Sequence, residues 1–158
     1  MMAASTPETA IQNDYRARVA FYASRERVFD AIATVEGVRR WWMPIVKGCA
    51  ATGGELRLEF EGPDEQIVLR IEEAERPSLI QWSCMAHTGL PEWSGTTMTF
   101  EIVKGTSNEC QLNFRHVGLT PKLECYDHCR LGWDHFLRSL VACVERGKGM
   151  RFGATEKG

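Results

Sequence analysis

Along residues 55–117 apolar side chains recur at every second position, and beyond Pro121 the spacing changes to every third or fourth until Gly147. That change of period constrains the fold more than any motif in the chain. A period of two puts one face of a strand in a core, and a period of 3.6 does the same for one stripe of a helix. An apolar sheet face and an apolar helix stripe within one chain must bury each other. In the period-two region one face collects Leu56, Leu58 and Phe60, then Ile67, Leu69 and Ile71, then Ile80, Trp82 and Cys84. Met98, Phe100 and Ile102 follow, and Cys110, Leu112, Phe114 and His116 complete the set. Turn residues separate these runs: Gly62-Pro63-Asp64, Pro77-Ser78 and GTSN at 105–108 are short, whereas AHTGLPEWSG at 86–95 is a longer loop. In the helical region Tyr126, Cys129, Trp133, Phe136, Leu137, Leu140 and Val144 form one stripe. With Gly147 as its C-cap, this predicts a helix of roughly 25 residues.

Ahead of the meander, RARVAFYA at 16–23 alternates as one more half-buried strand. Ser24 stands where an N-cap belongs, with Val28, Phe29 and Ile32 on one face behind it. Gly37 is expected to break this helix, and GVRRWWMP to form a second short one ended by Pro44. The expected fold is therefore α+β of the helix-grip kind. A curved antiparallel six-stranded sheet closes around a long C-terminal helix, with two short helices after the first strand. A twisted sheet curls, and the ends of such a grip are hard to fill, so a cavity between helix and sheet is expected. Residues 1–14 read as a disordered N-terminal tail, 15–149 as a single domain, and 150–158 as a flexible C-terminal tail.

Composition narrows the function classes. A net charge of -2 with both signs mixed along 158 residues leaves no footprint for nucleic acid. No apolar run approaches a membrane span. The N-terminus lacks the basic and apolar regions of a signal peptide, which makes a cytoplasmic location the expectation. Six irregularly spaced cysteines then read as reduced thiols, mostly buried as small hydrophobes.

The segments SRERVFDAIATVEGVRRWW, GGELRLEF, EWSGTTMTFEIV, LNFRHVGL and GWDHFLRSLVACVERGKG together resemble the activator of heat-shock protein 90 ATPase homologue family. That family belongs to the SRPBCC (START-like, birch-allergen-like) superfamily. The resemblance covers residues 15–150, and Trp41-Trp42, His116-x-Gly118-Leu119 and Gly132-Trp133 are its most specific pieces. It implies a START-like helix-grip domain. Function follows less directly, since the superfamily includes lipid carriers, hormone receptors, cyclases and co-chaperone domains. A eukaryotic co-chaperone of this family has a separate N-terminal chaperone-binding domain, which fourteen polar residues are too few to supply.

The leading expectation is a binder or carrier of a small apolar ligand, aromatic or lipid-like, with no catalytic residue, cofactor or metal assigned. Its expected walls are Trp41, Trp42, Trp82, Met98, Phe100, Phe114, His116, Trp133 and Phe136. Adjacent Trp41 and Trp42 cannot, on this reading, both enter one core. His116 is the one titratable side chain that the alternation turns inward, where it would orient a polar group of the ligand. Its bland alternative is a strand-end histidine bonded to a backbone carbonyl. Cys125, His128 and Cys129, with His135 beyond, lack the spacing of a zinc site. Arg39, Arg40 and Arg57 would rim the mouth or lie solvated. Two rival readings remain: a co-chaperone-like interaction module, with a chaperone as partner, and a cyclase- or hydrolase-like enzyme using His116. A homodimer stays open.

Overall fold

The computed structural model describes residues 13–152, so most of both terminal segments lies outside the described residues. Strand β1 (Tyr15–Phe21) leads into helices α1 (Arg25–Ile32) and α2 (Val35–Trp41). Strands β2 (Ile45–Gly48), β3 (Glu55–Glu59), β4 (Gln66–Glu75), β5 (Leu79–His87), β6 (Thr97–Lys104) and β7 (Cys110–Val117) follow, and the long helix α3 (Tyr126–Arg146) closes the chain. The strands form one curved antiparallel sheet in the order β1-β7-β6-β5-β4-β3-β2. This is the α+β helix-grip architecture. No helix of the described residues is long and apolar enough to cross a membrane.

The sheet has seven strands where the sequence pattern predicts six. The additional one, β2, has four residues, of which only Val46 is buried, so it carries no alternation to read. Pairing makes it a strand: Val46 lies opposite Leu58, and Arg39 of α2 donates from Nε and Nη2 to the Val46 carbonyl at 3.1 and 2.8 Å. Arg39 is thereby committed to the backbone.

Ser24 caps α1 as expected, accepting from Arg27 N–H at 3.2 Å. Gly37 does not break that helix. The break comes at Ala33 and Thr34, where the Thr34 hydroxyl accepts from Gly37 N–H at 2.9 Å and starts α2. Gly37 sits inside α2 because a Cβ there would stand 2.4 Å from the Ala31 carbonyl oxygen. Only glycine lets the two short helices approach so closely. Helix α3 runs 21 residues and ends at Gly147, whose left-handed φ of 82° and N–H to Cys143 carbonyl bond form the expected cap.

Leu137, Leu140 and Val144 of α3 join the fully buried Leu56, Leu58, Ile80, Phe100 and Leu112 of the sheet in one core. Removing a side chain such as Leu140 from this core would cost about 2–5 kcal/mol. Residues 150–152, assigned from sequence to the trailing segment, are bonded back onto the domain. Met150 N–H donates to the Ser139 hydroxyl, His135 Nε2 bonds the Met150 carbonyl at 2.8 Å, and Phe152 N–H donates to the Trp42 carbonyl at 2.7 Å.

Candidate functional site

The N-terminal half of α3 packs on β1 and β7 through Asp134 and Trp133, and the gap left on its other side, toward β3, β4 and β5, is a cavity of about 350 Å³. Its ceiling is the α3 face formed by Cys129, Gly132, Trp133 and Phe136. Its floor is Ile67 of β4 with Phe60 and His87, at the ends of β3 and β5. Trp42 and Met43 close one side, the loop residues Leu90 and Trp93 close another, and Phe152 stands at the rim. This volume falls at the small end of the ~300–1,000 Å³ typical of small-molecule sites.

The nine residues expected as walls divide into two groups. Trp42, Trp133 and Phe136 line the cavity. Trp41, Trp82, Met98, Phe100, Phe114 and His116 lie behind it, within the packed core. The physical reason is that the grip's centre is filled by its own rings. Trp82 and Phe100 meet edge to face at 4.8 Å, and Phe100 and Phe114 pack at 4.9 Å. Trp41 and Trp42 are both buried, against the expectation that only one could be. Their planes lie 13° apart with centroids at 5.6 Å, so the pair enters the core as one stack, which Trp82 extends on the far side of Trp42. Trp42 also packs on Trp133, and Trp133 stacks on Trp93 at 6.0 Å. All five tryptophans of the chain thus form one connected cluster, three of them facing the cavity.

His116 has a structural assignment. The indole Nε1–H of Trp133 donates to His116 Nδ1 at 3.0 Å, and an indole can only donate, so Nδ1 is unprotonated. The proton then sits on Nε2, which faces the Thr96 hydroxyl at 2.8 Å, and that hydroxyl donates to the Trp93 carbonyl at 2.6 Å. This relay ties α3, β7 and the 88–96 loop together behind the Trp93–Trp133 wall. Burial drives the imidazole pKa down to about 3, so the ring is neutral. Both ring nitrogens are spent on protein partners, leaving no proton or lone pair for a substrate. Gly118, two residues on, adopts φ 99° and packs where a Cβ would meet Thr96 Cγ2 at 2.8 Å, so the relay also needs glycine there.

The buried polar residue that faces the cavity is His87, which the alternation places on the outer face. Counting by twos from Cys84 puts Ala86 inside. A β-bulge leaves Met85 unpaired, with Leu69 opposite Cys84 and Val68 opposite Ala86, and the extra residue turns His87 inward. Its Nδ1 accepts the N–H groups of Gly89 and Leu90 at 3.1 and 3.0 Å, so the proton resides on Nε2. Burial lowers its pKa to about 4 and keeps it neutral. The ring stands edge-on to Trp93 at 4.9 Å and tilted against Phe60 at 5.5 Å.

The loop bearing Trp93 is pinned from outside. Glu92 accepts from the N–H groups of Glu124 and Cys125 at 3.3 and 3.2 Å, capping α3, whose own N-cap residue makes no side-chain bond. Trp93 Nε1–H donates to Cys129 Sγ at 3.2 Å. Burial, then the neighbouring Cys129, raises the Cys125 thiol, which keeps it protonated. All six cysteines are free thiols, and among the described residues no three His, Cys, Asp or Glu side chains converge as metal ligands. Sequence reasoning missed Phe60, His87, Leu90, Trp93 and Phe152. Two signals were available: the alternation that turns Phe60 inward and the aromatic Trp93 within a turn-rich loop.

Comparison with solved structures gives the same architecture. The Aha1 dimer from Colwellia psychrerythraea is similar at TM-score 0.74 and 24% identity, covering 86% of this chain and 98% of that one. CalU16 from Micromonospora echinospora is similar at TM-score 0.67 and 20% identity, over 84% of this chain and 74% of that one. Protein BH1534 from Bacillus halodurans is similar at TM-score 0.62 and 22% identity, over 83% and 95%. These likenesses carry the fold alone. No curated protein matches the chain in sequence. The model of the family "Activator of Hsp90 ATPase homolog 1-like protein" matches residues 22–145, most of the described domain, and the chain belongs to that family.

Proposed function

We propose that this protein binds a compact, apolar, ring-containing ligand in the cavity beneath the N-terminal half of α3. The observation that carries the reading is Gly132. It sits in the interior of a helix, where glycine costs about 1 kcal/mol relative to alanine. Its backbone is ordinary helix, and a Cβ built on it meets no atom within 4 Å. Neither backbone geometry nor close packing therefore calls for glycine. What a side chain there would change is the open volume below it. The walls around that volume are aromatic, which suits a flat ring system, and Met43 at the edge adapts to its outline. Transfer of the ligand from water would be driven mainly by apolar area, at about 25 cal/mol per Å².

Chaperone stimulation, the activity in the family's name, is the rival. It requires a contiguous exposed apolar face. The large exposed apolar side chains Tyr22, Ile45, Met85, Val103, Leu131 and Phe152 are instead spread over the turn after β1, over β2, β5, β6 and α3, and over the segment after α3. The catalytic reading through His116 has no free ring nitrogen to use.

Gly132→Leu tests the proposal by filling the cavity without disturbing the helix. Titration with naphthalene derivatives, followed by tryptophan emission and calorimetry, should show saturable binding to the wild type and its loss in the variant. The variant should melt no lower than the wild type. Equal binding by both proteins, or no binding by the wild type, would overturn the reading.

A further inference from the structure

We infer that His87 is the polar anchor of the cavity and that its ligand is a compact aromatic carrying a hydrogen-bond acceptor, such as an aryl carbonyl. This rests on the cavity reading above and adds a chemical class to it. The tautomer of His87 is dictated by the loop: two backbone N–H groups converge on Nδ1, which leaves Nε2 as the donor. The ring is nine-tenths buried and lines the cavity, yet Nε2–H makes no hydrogen bond among the described residues. Trp42 Nε1–H, in the adjoining wall, also makes none. Trp82 Nε1–H is also unpartnered but is sealed in the core behind Trp42, and the other polar atoms nearby are spent or peripheral. Cys129 Sγ already accepts from Trp93, and Glu61 and His128 are exposed at the mouth.

A wall with two unpartnered donors complements acceptors. It selects against alcohols and amines only weakly, since each also has a lone pair, and most strongly against a plain hydrocarbon of the same shape. Neither donor is sealed off from the cavity space, and an acceptor that meets one in a largely apolar wall adds about a threefold to tenfold gain in affinity per bond.

The test uses a matched pair, 2-acetonaphthone and 2-isopropenylnaphthalene, which differ by exchange of a carbonyl oxygen for a methylene. The intact wild-type chain should bind the ketone about threefold to tenfold tighter, and the His87 Nε2–H signal in imidazole 15N spectra should move with the ketone only. His87→Asn retains an acceptor for the loop N–H groups but is too short to donate into the cavity, so the preference should vanish. His87→Gln, which returns an amide N–H near the Nε2 position, should restore part of it. A wild type that binds both probes equally overturns this inference while the cavity reading stands. A wild type that binds neither overturns both. A ketone preference that persists in His87→Asn, with an unmoved Nε2–H signal, removes His87 from the role.

Discussion

Acidification from about pH 7 to about pH 5 should cost this domain about 4 kcal/mol of stability, well before ordinary carboxylates titrate. The cause is that two of its four histidines are folded in neutral form with Nδ1 already accepting a donor. Protonation of either would place a new N–H against an existing one. Burial lowers His116 to about 3 and His87 to about 4, against an ordinary 6.5. The unfolded chain therefore takes up protons first as the pH falls. The stabilising contribution is complete above about pH 6.5 and is lost progressively below it, toward the folded-state values. At about pH 5 each unfolded histidine is almost fully charged and each folded one almost fully neutral, which amounts to roughly 2 kcal/mol per residue. A loss of about 4 kcal/mol is large beside the 5–15 kcal/mol of a typical domain. Urea denaturation at several pH values in this window measures it, and imidazole 15N shifts identify the groups. His87→Asn should halve the slope. A stability that is flat between about pH 7 and 5, or a His116 ring that titrates near 6.5 in the folded protein, would refute the tautomer assignment and with it the relay.

Two further substitutions test the cavity's supports. Thr96→Val keeps the side-chain shape but removes the acceptor for His116 Nε2–H, so it should cost about 1–3 kcal/mol in chemical denaturation. Glu92→Ala uncaps α3 and unpins the loop; a loss of about 0.5–2 kcal/mol is expected, with faster amide exchange at Glu124 and Cys125.

The strands other than β2 and the long helix were legible because each repeats a local period over at least five residues and carries its own turn or cap. Ser24 and Gly147 are local devices of this kind, and both act as their sequence context implies. Short elements without a period were not legible. Four residues with one buried side chain become β2 only because β3 and Arg39 lie beside them. The cavity wall was legible only in small part. Trp133 and Phe136 follow from the helix stripe, whereas Trp82, Phe100 and Phe114 carry the same inward signature and end up behind the wall. Alternation reports which face of a strand is buried and says nothing about whether a ring or a void lies opposite.

The change of period that runs from strands to helix determined, by itself, that this chain folds as a sheet wrapped on a C-terminal helix, because burial of an apolar face is a property of local spacing. Tertiary structure alone decided where the grip stays open. A single bulged residue, Met85, reverses the facing of His87, a glutamate from a loop caps a helix more than thirty positions away, and a glycine leaves a gap that its neighbours do not fill. Each depends on atoms distant in sequence meeting, or failing to meet, in space. Whether the period continues through a strand end is therefore settled only when its partner strand is in place.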